Sequence, residues 1–255
     1  MKTVLITGAA RNTGLAIARR FAKEGYQVAI TSRDAASAEK TAQALQQEYS
    51  VKAKGYALSF DSISAIGETF RQVQSDLGGL DVFVANSANL GIGFGLMNTT
   101  EADFDAIADV NIKGNFFCCQ HAAQLMKKTG GSIITIGSVQ GTGAVPDRTV
   151  YSMSKAALSM LVKSMAYELG QYGIRVNNIV AGAVHSSRWD ALTPQEIAAR
   201  RSRYPAGRES TEEEIAAAVY FLASDQAGSI TGIDLPVDSG LTACLLPYQK
   251  KEETK

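Results

Sequence analysis

The stretch TVYSMSKAAL sets a tyrosine, Tyr151, and a lysine, Lys155, four residues apart. On a helix that spacing puts both side chains on one face, within reach of one ligand. A phenol titrates near pH ~10, so it trades protons near neutrality only beside a cation that favours its ionised form. Lys155 is that cation. Thirteen residues earlier, Ser138 ends the β-branched run GSIITIGS, where its hydroxyl stands at the carboxyl end of a buried strand. Together these residues would perform acid–base chemistry on an oxygen atom. The pair alone says little, because the chain holds nine tyrosines; the surrounding elements give it weight.

Those elements follow from the apolar pattern. The runs KTVLIT, YQVAIT, VKAKGYAL, LDVFVAN, GSIITIG, GIRVNNIV and TGIDLPV read as strands. Between them lie segments such as GLAIARRFAKEG and TAQALQQEY, whose apolar positions recur every three to four residues. Alternation of this kind implies a doubly wound α/β fold of the Rossmann type, a parallel sheet of about seven strands with helices on both faces. Residues 1–248 are expected to form a single domain, with a small helical lid over about 184–208. The tail QKKEETK, 249–255, is too polar to pack.

Composition narrows the class. A chain of 255 residues, 45% hydrophobic, with 25 basic and 25 acidic residues, can bury one large core and presents no net charge for nucleic acid or a membrane surface. No apolar run reaches the ~18 residues of a spanning helix, and Met1 leads directly into a strand, which reads as a cytoplasmic protein. Cys118, Cys119 and Cys244 fit neither a disulfide framework nor a metal cluster and read as free thiols, the adjacent pair on different sides of a helix. No metal site is expected.

The turn after the first strand, TGAARNTG, holds Gly8, Arg11, Asn12, Thr13 and Gly14. Gly8 permits a sharp turn, Gly14 lets the following helix pack closely, and the free amides at that helix start face an anion. Asn12 tolerates a left-handed backbone, so the turn survives without a glycine there. The same residues also suit a helix that simply starts after glycine. The second strand ends ITSRD, with Ser32 where an acid would hold the ribose of NAD and Arg33 beside it. Arg11 and Arg33 near a 2′-phosphate predict NADP(H) over NAD(H). The other reading is two solvated charges, Arg33 paired with Asp34.

The chain resembles the short-chain dehydrogenase/reductases over nearly its whole length. TGAARNTG, VANSA, DVNIKGNFF, GSVQG, YSMSK and RVNNIVAG stand in that family's order and spacing, and the likeness is greatest to 3-oxoacyl-carrier-protein reductases and sugar or polyol dehydrogenases. The resemblance implies that Tyr151 donates a proton to a carbonyl oxygen as hydride arrives, Lys155 holds the nicotinamide ribose, Ser138 binds the substrate oxygen, and Asn111 holds a relay water. It further implies cofactor contacts at Asn86, Ala88, Gly182, Val184 and Ser186, with Ser59, or else Asp61, against adenine. The chain departs from the family at Asn12, at Ser87 and Ala88, at Ala181, Ser186 and Ser239, none of them a reacting group.

Candidate substrate contacts are Gln140, Arg148, His185, Arg188 and Trp189. Arg188, Arg200, Arg201 and Arg203, with Arg148, would make a basic rim suited to an anionic substrate or an acidic carrier, unless they are a solvated helix face. Trp189 stacks on substrate or packs the lid; His185 and His121 read as structural. Excess apolar surface on the two long helices predicts a homodimer or homotetramer. Three functions fit: an NADPH-dependent carbonyl reductase, a 3-oxoacyl-carrier-protein reductase, and a silent NADP(H)-binding sensor.

Overall fold

The computed structural model of the protein describes residues 1–60, 62–186 and 189–244. Seven strands, β1 (Thr3–Ile6), β2 (Gln27–Ser32), β3 (Ala53–Ala57), β4 (Val82–Ala85), β5 (Gly131–Ser138), β6 (Ile174–Ala181) and β7 (Asp234–Val237), form one sheet. Their order is β3-β2-β1-β4-β5-β6-β7, and every pairing is parallel. Chain direction across the sheet therefore reverses between β1 and β4, where the carboxyl ends of the strands leave a crevice.

Helices α1 (Asn12–Lys23), α2 (Ala35–Tyr49) and α8 (Glu212–Ala223) cover one face, while α3 (Ile63–Leu77), α5 (Asn115–Met126) and α6 (Thr149–Leu169) cover the other. The two-residue period of a strand feeds both layers. In β1, Val4 and Ile6 enter the first core with Ile17, Phe21 and Val219, and Leu5 enters the second with Phe70, Phe83 and Val162. All four β1 residues are buried, which explains why its sequence carries no polar alternation. Cys118 and Cys119 are free and lie in the same second core despite being adjacent; burial pushes the Cys119 thiol up to about 12. His121 packs on Phe70, ring centres 5.8 Å apart. Cys244 is also free and half-buried, and the tail from Gln249 lies outside the described residues.

Capping separates α1 from α2, α7 (Pro194–Arg201) and α8. Asp34 caps α2 by accepting from the amides of Ala36 and Ser37, so it is occupied with the backbone and does not pair with Arg33. Thr193 with Glu196 and Thr211 with Glu214 build reciprocal caps for α7 and α8. The start of α1 has no side-chain cap and no acid in its first turn. Its amides are left for something other than the protein.

The segment DVNIKG does not simply continue a regular helix. Asp109–Gly114 forms a π-turn between α4 (Glu101–Ala108) and α5. The wider turn places Asn111, fully buried, against the loop that follows β4.

Candidate functional site

The described candidate site residues lie at the carboxyl edge of the sheet or on the segments crossing it, Trp189 included. The phosphate-type turn is built from backbone contacts. Gly8 adopts φ +63°, and its amide donates to Thr31 Oγ1 at 3.3 Å. Asn86 Nδ2 donates to the carbonyls of Thr7 (2.9 Å) and Gly8 (3.2 Å), so this side chain holds the turn itself. A Cβ on Gly14 would lie 2.6 Å from Gly8 O and 2.7 Å from Asn86 Nδ2, which only glycine avoids. Asn12 takes φ +50° and Ser239 φ +55°, so both stand in the left-handed region where the family pattern has glycine. Thr13 follows in the first turn of α1, half-buried.

Next to this turn, Ser32 ends β2 and its hydroxyl accepts from the Asp34 amide at 3.3 Å. Arg11 and Arg33 are exposed, and among the described residues neither forms an ion pair. Ser59 lies two residues past β3, beside Leu58, whose amide donates to Ser32 O; Asp61 lies outside the described residues. Ala88 follows β4 and is half-buried. These placements surround one crevice with two free guanidinium groups and no carboxylate at position 32.

The Tyr–Lys pair sits across the crevice. Tyr151 is buried on the first turns of α6. Lys155 Nζ lies 5.6 Å from the Tyr151 ring centre and donates to Ile136 O at 2.7 Å. Burial lowers the Lys155 ammonium from 10.5 to about 8. Ser138 ends β5; its Oγ accepts from the Gln140 amide at 3.2 Å as the chain enters a 3₁₀ turn. A cleft of about 560 Å³ opens beside it, lined by Val139, Gln140, Thr142, Val145 and Leu241. Gln140 Oε1 is buried there with no hydrogen-bond donor.

The Asn111 side chain is held by three protein contacts. Its Oδ1 accepts from the Asn89 amide at 2.7 Å, and its two amide hydrogens go to Asn89 O (2.9 Å) and Ser154 Oγ (3.0 Å). The side chain can therefore meet a water only through an oxygen. Ser154 in turn donates to Tyr151 O at 2.7 Å, which ties the π-turn to the start of α6. Ser154 was missed by sequence reasoning, although it stands inside YSMSK. Its signal was a serine four residues before an apolar helical position, a pattern too common to single out.

The segment over the crevice begins at Gly182, where a Cβ would lie 2.8 Å from Asp238 Cα. Val184 pairs with Ser210 in a short parallel bridge, and the Ser186 hydroxyl is buried with no partner among the described residues. Among the described residues, α7 is the one regular helix in 184–208. His185 Nδ1 bonds Glu209 Oε1 at 2.8 Å, and Arg201 grips both Glu209 oxygens at 2.7 Å. These partners hold the buried Glu209 carboxyl at about 2, the Arg201 hydrogen bonds contributing most. Trp189 is buried, with its ring 5.7 Å from His185 and the Arg200 guanidinium 5.6 Å from its centre.

Between a basic rim and a solvated helix face, this arrangement leaves few arginines for a rim at the lid. Arg201 is neutralised by Glu209, Arg200 lies on Trp189, and Arg203 is exposed; Arg188 lies outside the described residues. Glu209, which sequence reasoning missed, turns one of these arginines inward. Arg148 alone of the described candidates stays at the acid–base pair, its guanidinium 4.6 Å from the Tyr151 ring centre.

The features that could hold a nicotinamide dinucleotide are therefore present: a glycine cradle that a Cβ would fill, an uncapped helix start, and an orphaned buried hydroxyl at Ser186. No group of His, Cys, Asp and Glu among the described residues has metal-holding geometry. A parallel sheet with this cradle at its switch point and a Tyr–Lys pair two strands along defines a class of oxidoreductase.

The comparisons agree. A family model described as enoyl-(acyl carrier protein) reductase matches residues 8–242. An uncharacterized oxidoreductase of Thermotoga maritima is 36% identical over 249 residues, 95% of this chain and 98% of that one. The 3-oxoacyl-[acyl-carrier-protein] reductase FabG of Staphylococcus aureus is 36% identical over 246 residues, covering 94% and 98%. The crystal structure of a short-chain type dehydrogenase/reductase from Mycobacterium marinum matches with a TM-score of 0.87 at 29% identity, covering 95% of this chain and 96% of its own. The chain belongs to the short-chain dehydrogenase/reductase family, whose members are oxidoreductases that bind a nicotinamide cofactor and act on CH–OH or carbonyl groups. No described helix is long and apolar enough to cross a membrane.

Proposed function

We propose that the protein reduces a ketone or aldehyde of a small polar molecule to the alcohol, reversibly and with NADPH. The observation that carries this reading is the buried Tyr151 with Lys155 on the same helix face, beside Ser138 at a strand end. Tyr151 gives its phenolic proton to the carbonyl oxygen and takes it back in the reverse direction. Ser138 Oγ donates to that oxygen as negative charge develops on it. Lys155 favours the phenolate that remains and holds the cofactor ribose. Asn111 pins the loop after β4 and, through Ser154, the start of α6; a relay water would bind at its oxygens. Gly8, Arg11, Asn12, Thr13 and Gly14 would hold the pyrophosphate, and Ser59, Asn86 and Ala88 would border the adenosine. Gly182, Val184 and Ser186 would line the nicotinamide side, with the Ser186 hydroxyl on the carboxamide. The cofactor, when bound, supplies hydride to the carbonyl carbon. The 184–208 segment, clasped at Glu209, would exclude water during transfer.

NADPH is favoured over NADH because Ser32 offers no carboxylate to a ribose and the two unpaired guanidinium groups suit a 2′-phosphate. Replacing both Arg11 and Arg33 by alanine should lower the NADPH-to-NADH ratio of kcat/KM by about 100-fold, the loss of two charge-assisted contacts. Titrating both cofactors onto the variant checks this, and an unchanged ratio would sink it. A second reading, 3-oxoacyl-carrier-protein reductase, draws on the likeness to the staphylococcal enzyme and on Ile92, Leu96 and Met97, exposed on the loop that pairs with Arg148 through Phe94. Turnover of acetoacetyl thioesters well above that of free ketones would favour it.

We extend the proposal to self-association. Phe116 on α5 and Met153, Met160 and Tyr167 on α6 are exposed, and a groove of about 320 Å³ between the two helices is lined by Phe116, Met165, Leu169 and Tyr172. A second copy would cover this face. Light scattering should give a dimer or tetramer, and a stable monomer at micromolar concentration would contradict it.

A further inference from the structure

We propose that Arg148 anchors an anionic group of the substrate, and that the preferred substrate is a short oxo acid whose carboxylate stands a few bonds from the carbonyl being reduced. The inference rests on the carbonyl-reductase reading given above and names its substrate class.

Arg148 sits at the N-terminal cap of α6, three residues before Tyr151. Its position is tied down by the 94–98 loop: residue 148 pairs with Phe94, and the Thr149 amide donates to Phe94 O at 3.2 Å. The guanidinium lies on the face of the Tyr151 ring. Stacking uses the flat face of a guanidinium and leaves its N–H edge available for in-plane bonds. Among the described residues, Nε is buried with no acceptor and Arg148 has no ion pair. Its neighbour Asp147 does not serve it. Asp147 Oδ1 faces Gly95, 2.8 Å from where a Cβ on that glycine would sit.

Arg201 and Arg208 after β6 and Arg175 beneath the sheet are occupied, while the exposed Arg11 and Arg33 lie on the β1–β2 side of the crevice. Arg201 has Glu209, Arg208 has Glu214, and Arg175 donates to the carbonyls of Leu222, Ala223, Ser224 and Ile230. A buried N–H without a partner is costly, so a donor left open against the Tyr151 ring is one that something else satisfies. A carboxylate is the fitting partner, because it takes the Nε and Nη hydrogens side-on as two parallel bonds. The phenol oxygen is only a ring radius and a C–O bond from the centre beneath the guanidinium. A substrate whose carbonyl oxygen meets Tyr151 Oη therefore reaches Arg148 across a short spacer, as in a 3-oxo acid. The carboxylate is a bystander: hydride goes to the carbonyl carbon, the Tyr151 proton to the carbonyl oxygen, and no bond to the carboxylate changes.

The test compares 3-oxobutanoate with acetoacetamide, which differs by an amide nitrogen in place of one carboxylate oxygen. NADPH oxidation is followed with the wild type, Arg148→Gln and Arg148→Lys, and 3-oxobutanoate binding is measured by calorimetry on the same proteins. In the wild type the oxo acid should exceed the amide in kcat/KM by about 100-fold, since a site with a buried unpaired donor discriminates against a ligand that cannot satisfy it. Arg148→Gln should reduce that ratio to within about threefold, and Arg148→Lys should keep part of it through its charge. A wild-type ratio near one, or a ratio unchanged by Arg148→Gln, overturns the proposal while leaving the reductase reading intact. If neither compound is turned over by the wild type, binding decides. Calorimetric binding lost in Arg148→Gln and retained in Arg148→Lys upholds the anion site while the reductase reading falls; equal binding, or none in the wild type, overturns the site. Comparable melting of the variants shows that they fold, and the lysine variant carries the test if the glutamine one does not.

Discussion

Tyr151→Phe is expected to lower kcat for carbonyl reduction by about 1,000-fold while NADPH still binds within a few-fold of the wild type. The substitution removes one oxygen from a ring that is otherwise buried and packed, with Arg148 on its face and Lys155 nearby. What disappears is the proton donor. General acid catalysis from a positioned group contributes about 100- to 10,000-fold, and no other described side chain combines a titratable hydroxyl with a neighbouring ammonium at this edge. The proposed cofactor cradle, Gly8, Gly14 and the start of α1, lies on the other side of the β1–β4 crevice and should be untouched. Loss of reduced-nicotinamide absorbance, alongside a fluorescence titration of NADPH, separates the two effects. Turnover within tenfold of the wild type would remove Tyr151 from the mechanism; loss of binding would point to a collapsed site.

Lys155→Met should cost about 100-fold or more in kcat yet raise stability at neutral pH. The lost rate follows from the role of the ammonium beside the phenol, since without a cation the phenolate is no longer favoured. The stability gain has a separate cause. Lys155 is buried, and desolvation lowers it from 10.5 to about 8. Below pH 8 the folded protein carries this charge at a cost of about 3 kcal/mol relative to the exposed lysine of the unfolded chain. Between about 8 and 10.5 the folded state has released its proton while the unfolded state still holds one, so wild-type stability rises with pH across that window. Methionine removes the charge but leaves Ile136 O without its 2.7 Å donor, a loss of about 1 kcal/mol. The variant should therefore unfold about 2 kcal/mol later than the wild type at pH 7, with the gap closing towards pH 10. Urea unfolding at pH 7, 8.5 and 10 checks this, and a gap that does not depend on pH would show that Lys155 is not the titrating group.

The residues proposed to perform the chemistry, and the elements that carry them, can be picked out in the chain itself. Strand runs with no polar alternation can only be covered on both faces, which requires a parallel sheet and places strand ends at one edge. Spacing along one helix put Tyr151 and Lys155 together, and glycines that tolerate no Cβ marked the turn at Gly8 and Gly14. Asn12 in a left-handed conformation was readable too, because that tolerance is local. Partners distant in sequence were not. The pairing of Arg201 with Glu209, of Asn111 with Asn89 and Ser154, and of Asn86 with the carbonyls of Thr7 and Gly8 depends on which faces the packed helices turn towards each other. A charged side chain looks the same in sequence whether it meets solvent, a carboxylate or a ring. Only the tertiary structure spent the lid arginines on Glu209 and Trp189 and left Arg148 with an unpaired donor over the phenol, because burial and neighbours decide what a charge can still bind.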